Sequence, residues 1–62
     1  MAINITDTFG TPILAKDVEP SKRTRAHIDT AISMARHSPT HTTYTHIPMR
    51  DGTHTLTIIT VD

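Results

Sequence analysis

The chain has 62 residues, and its six lysines and arginines balance its six aspartates and glutamates; it contains no cysteine. A chain of this length forms one domain, and the lack of cysteine excludes disulfides, so we expect a metal or a second subunit to assist a small core. A neutral balance also disfavours a protein whose whole surface binds nucleic acid, because such surfaces are strongly basic. Residues 1–62 are therefore predicted to form one small domain.

The apolar content supports a small core and no membrane segment. Leu, Ile, Val and Phe occupy 13 positions, and no apolar run approaches the roughly 18 residues that a membrane helix needs. The start of the chain lacks the basic and apolar regions of a signal peptide. These observations predict a cytoplasmic protein that makes no contact with a membrane.

Residues 1–15 are predicted to form a first hairpin. Ile3 and Ile5 alternate with polar neighbours, as in a half-buried strand, and an apolar run resumes at residues 13–14. Between them, Asp7 suits the start of a turn and Gly10 can take a positive φ. Pro12 cannot donate a hydrogen bond to a neighbouring strand, which favours a position at a sheet edge.

Residues 20–37 are predicted to form the single helix. Pro20 suits the first helical position, Asp17 or Glu19 can cap or complement the N-terminus, and Ser21 is an alternative cap. The helix is therefore predicted to begin within about two residues of Pro20. The segment 38–39, Ser-Pro, ends the helix. At about 100° per residue, one narrow sector collects the apolar side chains and is expected to be buried. Its members are Ile28, Ala31, Ile32 and Ala35.

Residues 40–62 are predicted to form a second hairpin around Asp51 and Gly52, which suit a two-residue type I′ turn. This turn determines which residues face each other across the hairpin. The face predicted to lie under the helix carries the pairs Met49–His54, Ile47–Leu56 and Thr45–Ile58. The opposite face carries the pairs Tyr44–Ile59 and Thr42–Val61. The fold class is therefore α+β, a small antiparallel sheet of four or three strands with a ββαββ outline and one helix packed across it.

Two clusters are candidate binding sites. The first is basic, and an acidic protein partner, a nucleic acid or plain solvation would each explain it; its residues are Lys22, Arg23, Arg25 and Arg36. The second is the outward apolar cluster of Tyr44, Ile59 and Val61. It is expected either to be covered by the first hairpin or to form a dimer or partner interface. A sheet edge pairing with its own copy is a further route to a dimer.

The sequence contains no recognisable motif for catalysis or for metal binding. The five histidines lack the paired spacing of a zinc site, and His46 and His54 are predicted to lie on opposite sheet faces. No nucleophile motif or glycine-rich phosphate loop is present, and a chain this short is expected to leave little room for a ligand pocket. No enzyme activity, cofactor or metal is therefore expected.

The layout, a short cysteine-free chain with a ββαββ or βαββ outline, is similar to that of many small phage and mobile-element proteins that bind and block a host complex. This similarity concerns layout and assigns no residue a role. We expect a non-catalytic binding protein, a small phage-type inhibitor or regulator, that engages a protein target as a homodimer. The alternatives are a nucleic-acid-binding module that uses the basic helix start and a protein that sequesters a small ligand or nucleotide.

Overall fold

The computed structural model describes residues 2–62 and confirms the α+β class. Three antiparallel strands, β1 (Ile3–Asp7), β2 (Thr42–Pro48) and β3 (His54–Val61), form one sheet in the order β1-β3-β2. One helix, α1 (Lys22–Arg36), packs on β2 and β3. A short 3₁₀ turn, Ala15–Asp17, lies between β1 and α1. The last strand of the chain is therefore the central strand of the sheet.

The first hairpin is shorter than predicted. Its turn forms as expected, because the Gly10 amide donates to the Asp7 carbonyl at 3.1 Å and Gly10 has a φ of 86°. The residues after the turn make one isolated bridge, between Thr6 and Pro12, and the Ile13 amide donates to the Ile5 carbonyl at 2.9 Å. Pro12 lacks the N–H that a longer ladder would need. The main partner of β1 is instead β3.

The helix begins at Lys22, within the two residues of Pro20 that the sequence predicts, because Ser21 is its cap. Ser21 has an extended backbone, and its hydroxyl oxygen accepts a hydrogen bond from the Thr24 amide at 3.2 Å. Pro20 thus precedes the cap rather than occupying the first turn. The predicted buried stripe is correct: Ala31 and Ala35 are buried, and Ile28 and Ile32 are partly buried. The small side chains of Ala31 and Ala35 let α1 pack closely on the sheet.

The register of the second hairpin differs from the predicted one by one residue. The Gly52 amide donates to the Met49 carbonyl at 3.1 Å, the Met49 amide donates to the Thr53 carbonyl at 2.7 Å, and Gly52 has a φ of 91°. A type I′ turn would need a positive φ at Asp51 as well, and among the described residues Asp51 does not take one. The connection therefore has three residues rather than two, and Tyr44 faces Ile58 instead of Ile59.

This shift exchanges the two faces of β3, because a one-residue slip of a strand moves each of its side chains to the other side of the sheet. The faces of β2 are as predicted, with Tyr44 outward and Ile47 inward. Ile59 and Val61, predicted to point outward, are 0% and 3% exposed and pack with Ala31 and Ala35 beneath the helix. Ile58 and Leu56, predicted to be covered, lie on the outer face with Tyr44. Thr57 is also buried in the core, where its hydroxyl donates to the Thr45 carbonyl at 2.9 Å.

The Asp51 carboxylate stabilises the turn, and its titration is expected to depend on Thr53. One Asp51 carboxylate oxygen accepts hydrogen bonds from the Thr53 hydroxyl, at 2.6 Å, and from the Thr53 amide, at 3.0 Å. The hydroxyl bond, followed by the amide bond, lowers the pKa of Asp51. Thr53→Val removes the hydroxyl and should raise this pKa toward its ordinary value. NMR titration of the Asp51 carboxyl carbon measures the change.

The hydrogen bond between Thr53 and Asp51 also makes the stability of the fold depend on pH. Since the pKa of Asp51 is lower in the folded state, the ionised carboxylate contributes fully to the free energy of unfolding at neutral pH. This contribution is lost as the pH falls through the folded-state pKa. Thr53→Val should therefore remove part of a stabilisation that exists above acidic pH and should change little below it. Thr55→Val is the matched control, because Thr55 makes no hydrogen bond to Asp51. An unchanged Asp51 titration in Thr53→Val would contradict the assignment.

Candidate protein-binding surfaces

The outer face of the sheet, opposite α1, carries an exposed apolar patch. Tyr44 is directly opposite Ile58, and Leu56 is two residues before Ile58 on the central strand. Tyr44 is 65% exposed and Leu56 39% exposed, whereas Ile58 is partly buried between its neighbours. Tyr44, Leu56 and Ile58 are called the outer patch below. An aromatic side chain beside branched aliphatic ones is typical of the centre of a protein interface.

The rest of the outer face is polar but carries no formal charge at neutral pH with neutral histidine. In the observed register the outward strand positions contain no Asp, Glu, Lys or Arg. They are Asn4, Thr6, Thr42, Tyr44, His46, Pro48, His54, Leu56, Ile58 and Thr60. A surface of this kind can be covered without burying an unpaired ion, which is the largest penalty at an interface.

The sequence analysis placed Tyr44 on this face correctly, but the residues that it predicted beside Tyr44 are wrong. Ile59 and Val61 belong to the core, and Leu56 and Ile58 take their places beside Tyr44. The predicted cluster of Tyr44, Ile59 and Val61 therefore does not exist as one surface. The local sequence is compatible with both turns, since a three-residue turn of Arg50, Asp51 and Gly52 also places its single left-handed residue at glycine.

The basic side chains do not form one cluster. Arg25 lines the space between α1 and β1, whereas His27 shares a hydrogen bond of 2.8 Å with Thr45 on β2. Arg23 lies on the His27 side of the helix, about 160° around the axis from Arg25. Lys22 and Arg36 lie on the Arg25 side. All four cations are exposed, and their separation weakens the argument for a single anionic partner at the helix start.

The histidines are also arranged differently from the prediction. His46 and His54 both occupy outward positions on neighbouring strands, so they share the outer face rather than opposite faces. Within residues 2–62, no three His, Asp or Glu side chains gather where a metal ion could be held.

A groove lies between the first half of α1 and the first strand. The helix packs on β2 and β3, which leaves the helix-facing side of β1 beside an open space of about 410 Å³. Its walls are mostly apolar, and Glu19, Arg25 and Asp29 also line it; the apolar wall residues include Ile5, Ile13, Val18, Ile28 and Ile47. The expectation of little room for a ligand is therefore wrong, because the helix is offset from the centre of the sheet.

Phe9 is a second exposed aromatic. It is 92% exposed at the tip of the turn that follows β1. One Asp7 carboxylate oxygen accepts hydrogen bonds from the Phe9 amide at 2.8 Å and from the Thr11 amide at 3.0 Å, so the turn is braced on both sides of Phe9. A turn whose backbone is held in this way loses little backbone freedom when a partner covers Phe9.

Comparisons of this chain with protein-family models, with curated proteins and with solved structures found no match. The helix α1 has neither the length nor the apolar character needed to cross a bilayer, and no other described segment forms such a helix. Function is therefore inferred from the chemistry of the surfaces above.

Proposed function

We propose that this protein is a non-catalytic binding protein that engages a protein target through the outer patch and inhibits or regulates that target. The observation that carries the proposal is the exposure of Tyr44 beside Ile58 and Leu56 on the sheet face opposite the helix. Large side chains exposed together on one side of a sheet are favourable to bury and costly to leave in water. The similarity of layout to small phage and mobile-element proteins supports a blocking role.

The chemistry of the face limits the target. Because the outward positions carry no Asp, Glu, Lys or Arg, a charged group buried on the target opposite them would lose its hydration without gaining an ionic partner. The target surface is therefore apolar at its centre, with hydrogen-bonding groups around it that suit threonine hydroxyls and imidazoles. This neutral face gives no support to phosphate binding, which requires Lys or Arg.

Leu56→Asp tests the outer patch. Leu56 points outward on the central strand, so the substitution places a charge at the centre of the surface while leaving the core unchanged. Target affinity should fall at least about tenfold, because an unpaired carboxylate would be desolvated in the complex. The immobilised chain first captures the target from a cell extract, and the purified target is then titrated against each variant by calorimetry.

Ser33→Asp is the matched control, since it adds the same charge to the exposed far side of α1. Its target affinity should equal that of the unmodified chain. Both variants must keep the original melting curve for the comparison to apply. Equal target binding by Leu56→Asp and the unmodified chain would show that the outer patch is not the contact surface.

Phe9→Ala, in the same assay, measures whether the exposed turn contributes to the interface.

The groove between α1 and β1 supports a second candidate function, the binding of a small ligand. Its volume of about 410 Å³ falls within the range of small-molecule sites, and its apolar walls adjoin the Arg25 and Asp29 side chains. A ligand with an apolar body and one polar end would match this lining. Such a ligand would raise the melting temperature equally in Leu56→Asp and in the unmodified chain, because the outer patch is remote from the groove.

A further inference from the structure

Strand β2 has a free edge along most of its length. The Val61 amide donates to the His41 carbonyl, and the Met49 amide donates to the Thr53 carbonyl. With the observed register, these bonds assign the odd-numbered residues of β2 to hydrogen bonding with β3. The N–H and C=O groups of Thr42, Tyr44 and His46 therefore point away from the sheet, and they have no backbone partner among the described residues.

The other edges of the sheet are protected in part. At β1 the Ile5 carbonyl accepts from the Ile13 amide, the Asp7 amide donates to the Thr11 carbonyl, and Pro12 lies between them. At the end of β2 the Pro48 carbonyl accepts from the Glu19 amide at 3.0 Å, and proline removes one donor. Proteins normally cover an edge, or place proline, charge or a bulge there, to prevent pairing with another chain.

None of these devices protects the stretch from Thr42 to His46. Its sequence is Thr-Thr-Tyr-Thr-His, which has high β-propensity and contains neither Lys nor Pro. The free stretch is also complementary to itself, because an antiparallel copy presents the same alternation of donors and acceptors. A two-fold axis at Tyr44 uses all three free residues, pairing Tyr44 with its equivalent and Thr42 with His46 of the second copy.

We propose that a second copy of this chain pairs along this edge and forms a homodimer with one continuous six-stranded sheet. The partner is thus another molecule of the same protein, and the contact is β2 against β2 in antiparallel orientation. The axis is perpendicular to the sheet, so both helices lie on one side of it and both outer patches lie on the other.

The position of the helix fits this arrangement. Since α1 lies over β2 and β3 and neighbouring strands are about 4.8 Å apart, the two helix axes would run about 10 Å from each other across the dimer axis. Packed helices are separated by about 8 to 10 Å. The two helices would therefore touch without obstructing the pairing of the strands.

Exposed side chains on the β2 side of α1 supply that helix contact. His27 reaches Thr45 on β2, and Met34 lies about two turns further along the same side of the helix. Met34 is 61% exposed in the single chain. Methionine is flexible and packs well at a contact between two helices. In the dimer it would face His27 of the second copy, and its exposure would then have a structural reason.

The dimer has a consequence for target binding, which rests on the function proposed above. Tyr44 would stand beside its equivalent on the outer face, joining two outer patches into one surface about the two-fold axis. A target with two-fold symmetry, or with two equivalent binding sites, would then gain affinity from simultaneous contact.

His46→Pro tests the pairing with little disturbance of the single chain. The His46 N–H points to the free edge, so proline removes a donor to the second copy while keeping the β2–β3 ladder. Dimer affinity should fall at least about tenfold, because two symmetry-related backbone bonds are lost. Sedimentation over a concentration series measures the affinity. His46→Ala is the matched control, since it removes the ring and keeps the N–H, and it should remain dimeric.

Further variants separate this edge from other contacts. N-methylation of the Tyr44 amide in the synthetic chain retains every side chain and should weaken the dimer even if proline disturbs folding. Met34→Glu should weaken the dimer, whereas Ser33→Glu should not. Leu56→Asp should stay dimeric, so failure of the target assay and failure of the dimer are distinguishable. A monomeric unmodified chain, or equal dimer affinities for His46→Pro and His46→Ala, would overturn the inference.

Discussion

Ile59→Ala is expected to leave the chain largely unfolded at room temperature. Ile59 is fully buried at the middle of the central strand, opposite Ile5 on one side and Thr43 on the other. Truncating a buried isoleucine to alanine costs about 2 to 5 kcal/mol, since it removes transfer free energy and leaves a cavity. A core of this size rarely supplies more than about 3 to 5 kcal/mol in total. Circular dichroism during urea unfolding measures the loss.

Ile58→Ala is the control that makes the first prediction specific. Ile58 is the same residue type at the next position of the same strand, but its side chain lies on the outer face. Its truncation should cost about 1 kcal/mol, the span of β-propensity effects on a partly exposed face. The two-residue turn would have placed Ile58 under the helix and Ile59 outside. A larger loss in Ile58→Ala than in Ile59→Ala would therefore restore that register and contradict the observed one.

Ala35→Leu is expected to separate the end of α1 from the sheet. Ala35 is 0% exposed and packs in the cluster that contains Ile59 and Val61. Three extra carbon atoms have no space at a closely packed contact, and overpacking of this kind costs about 1 to 3 kcal/mol. Leucine is nearly as good a helix former as alanine, so helix propensity accounts for only a small part of the loss. Thermal and urea unfolding should both shift toward lower stability.

Ala26→Leu supplies the comparison for Ala35→Leu. Ala26 lies on the exposed side of the same helix, where a larger side chain projects into solvent. The free energy of unfolding should change by less than about 0.5 kcal/mol. If Ala35→Leu proved as stable as Ala26→Leu, then Ala35 would not lie at the helix–sheet contact, and the assignment of the buried stripe would be wrong.

Tyr44 illustrates what the sequence predicts about the candidate site. Its outward position was predicted correctly, because both possible registers place it on the face opposite the helix. Its neighbours were not, because they depend on the register. The groove beside Arg25 was missed entirely, since no local pattern reports that α1 is centred over β2 and β3 rather than over the whole sheet. The separation of Arg23 from Arg25 follows from the helical period, yet which element each faces depends on packing.

The helix, its buried stripe and the turn glycines followed from the sequence alone because their causes are local. Ile28, Ala31, Ile32 and Ala35 recur with the period of a helix, and Gly10 and Gly52 can take a positive φ without a Cβ clash. The register of β2 against β3 was decided by the tertiary structure. Both a two-residue and a three-residue turn fit the local sequence around Asp51, whereas burial of Ile59 and Val61 under the helix favours the three-residue turn.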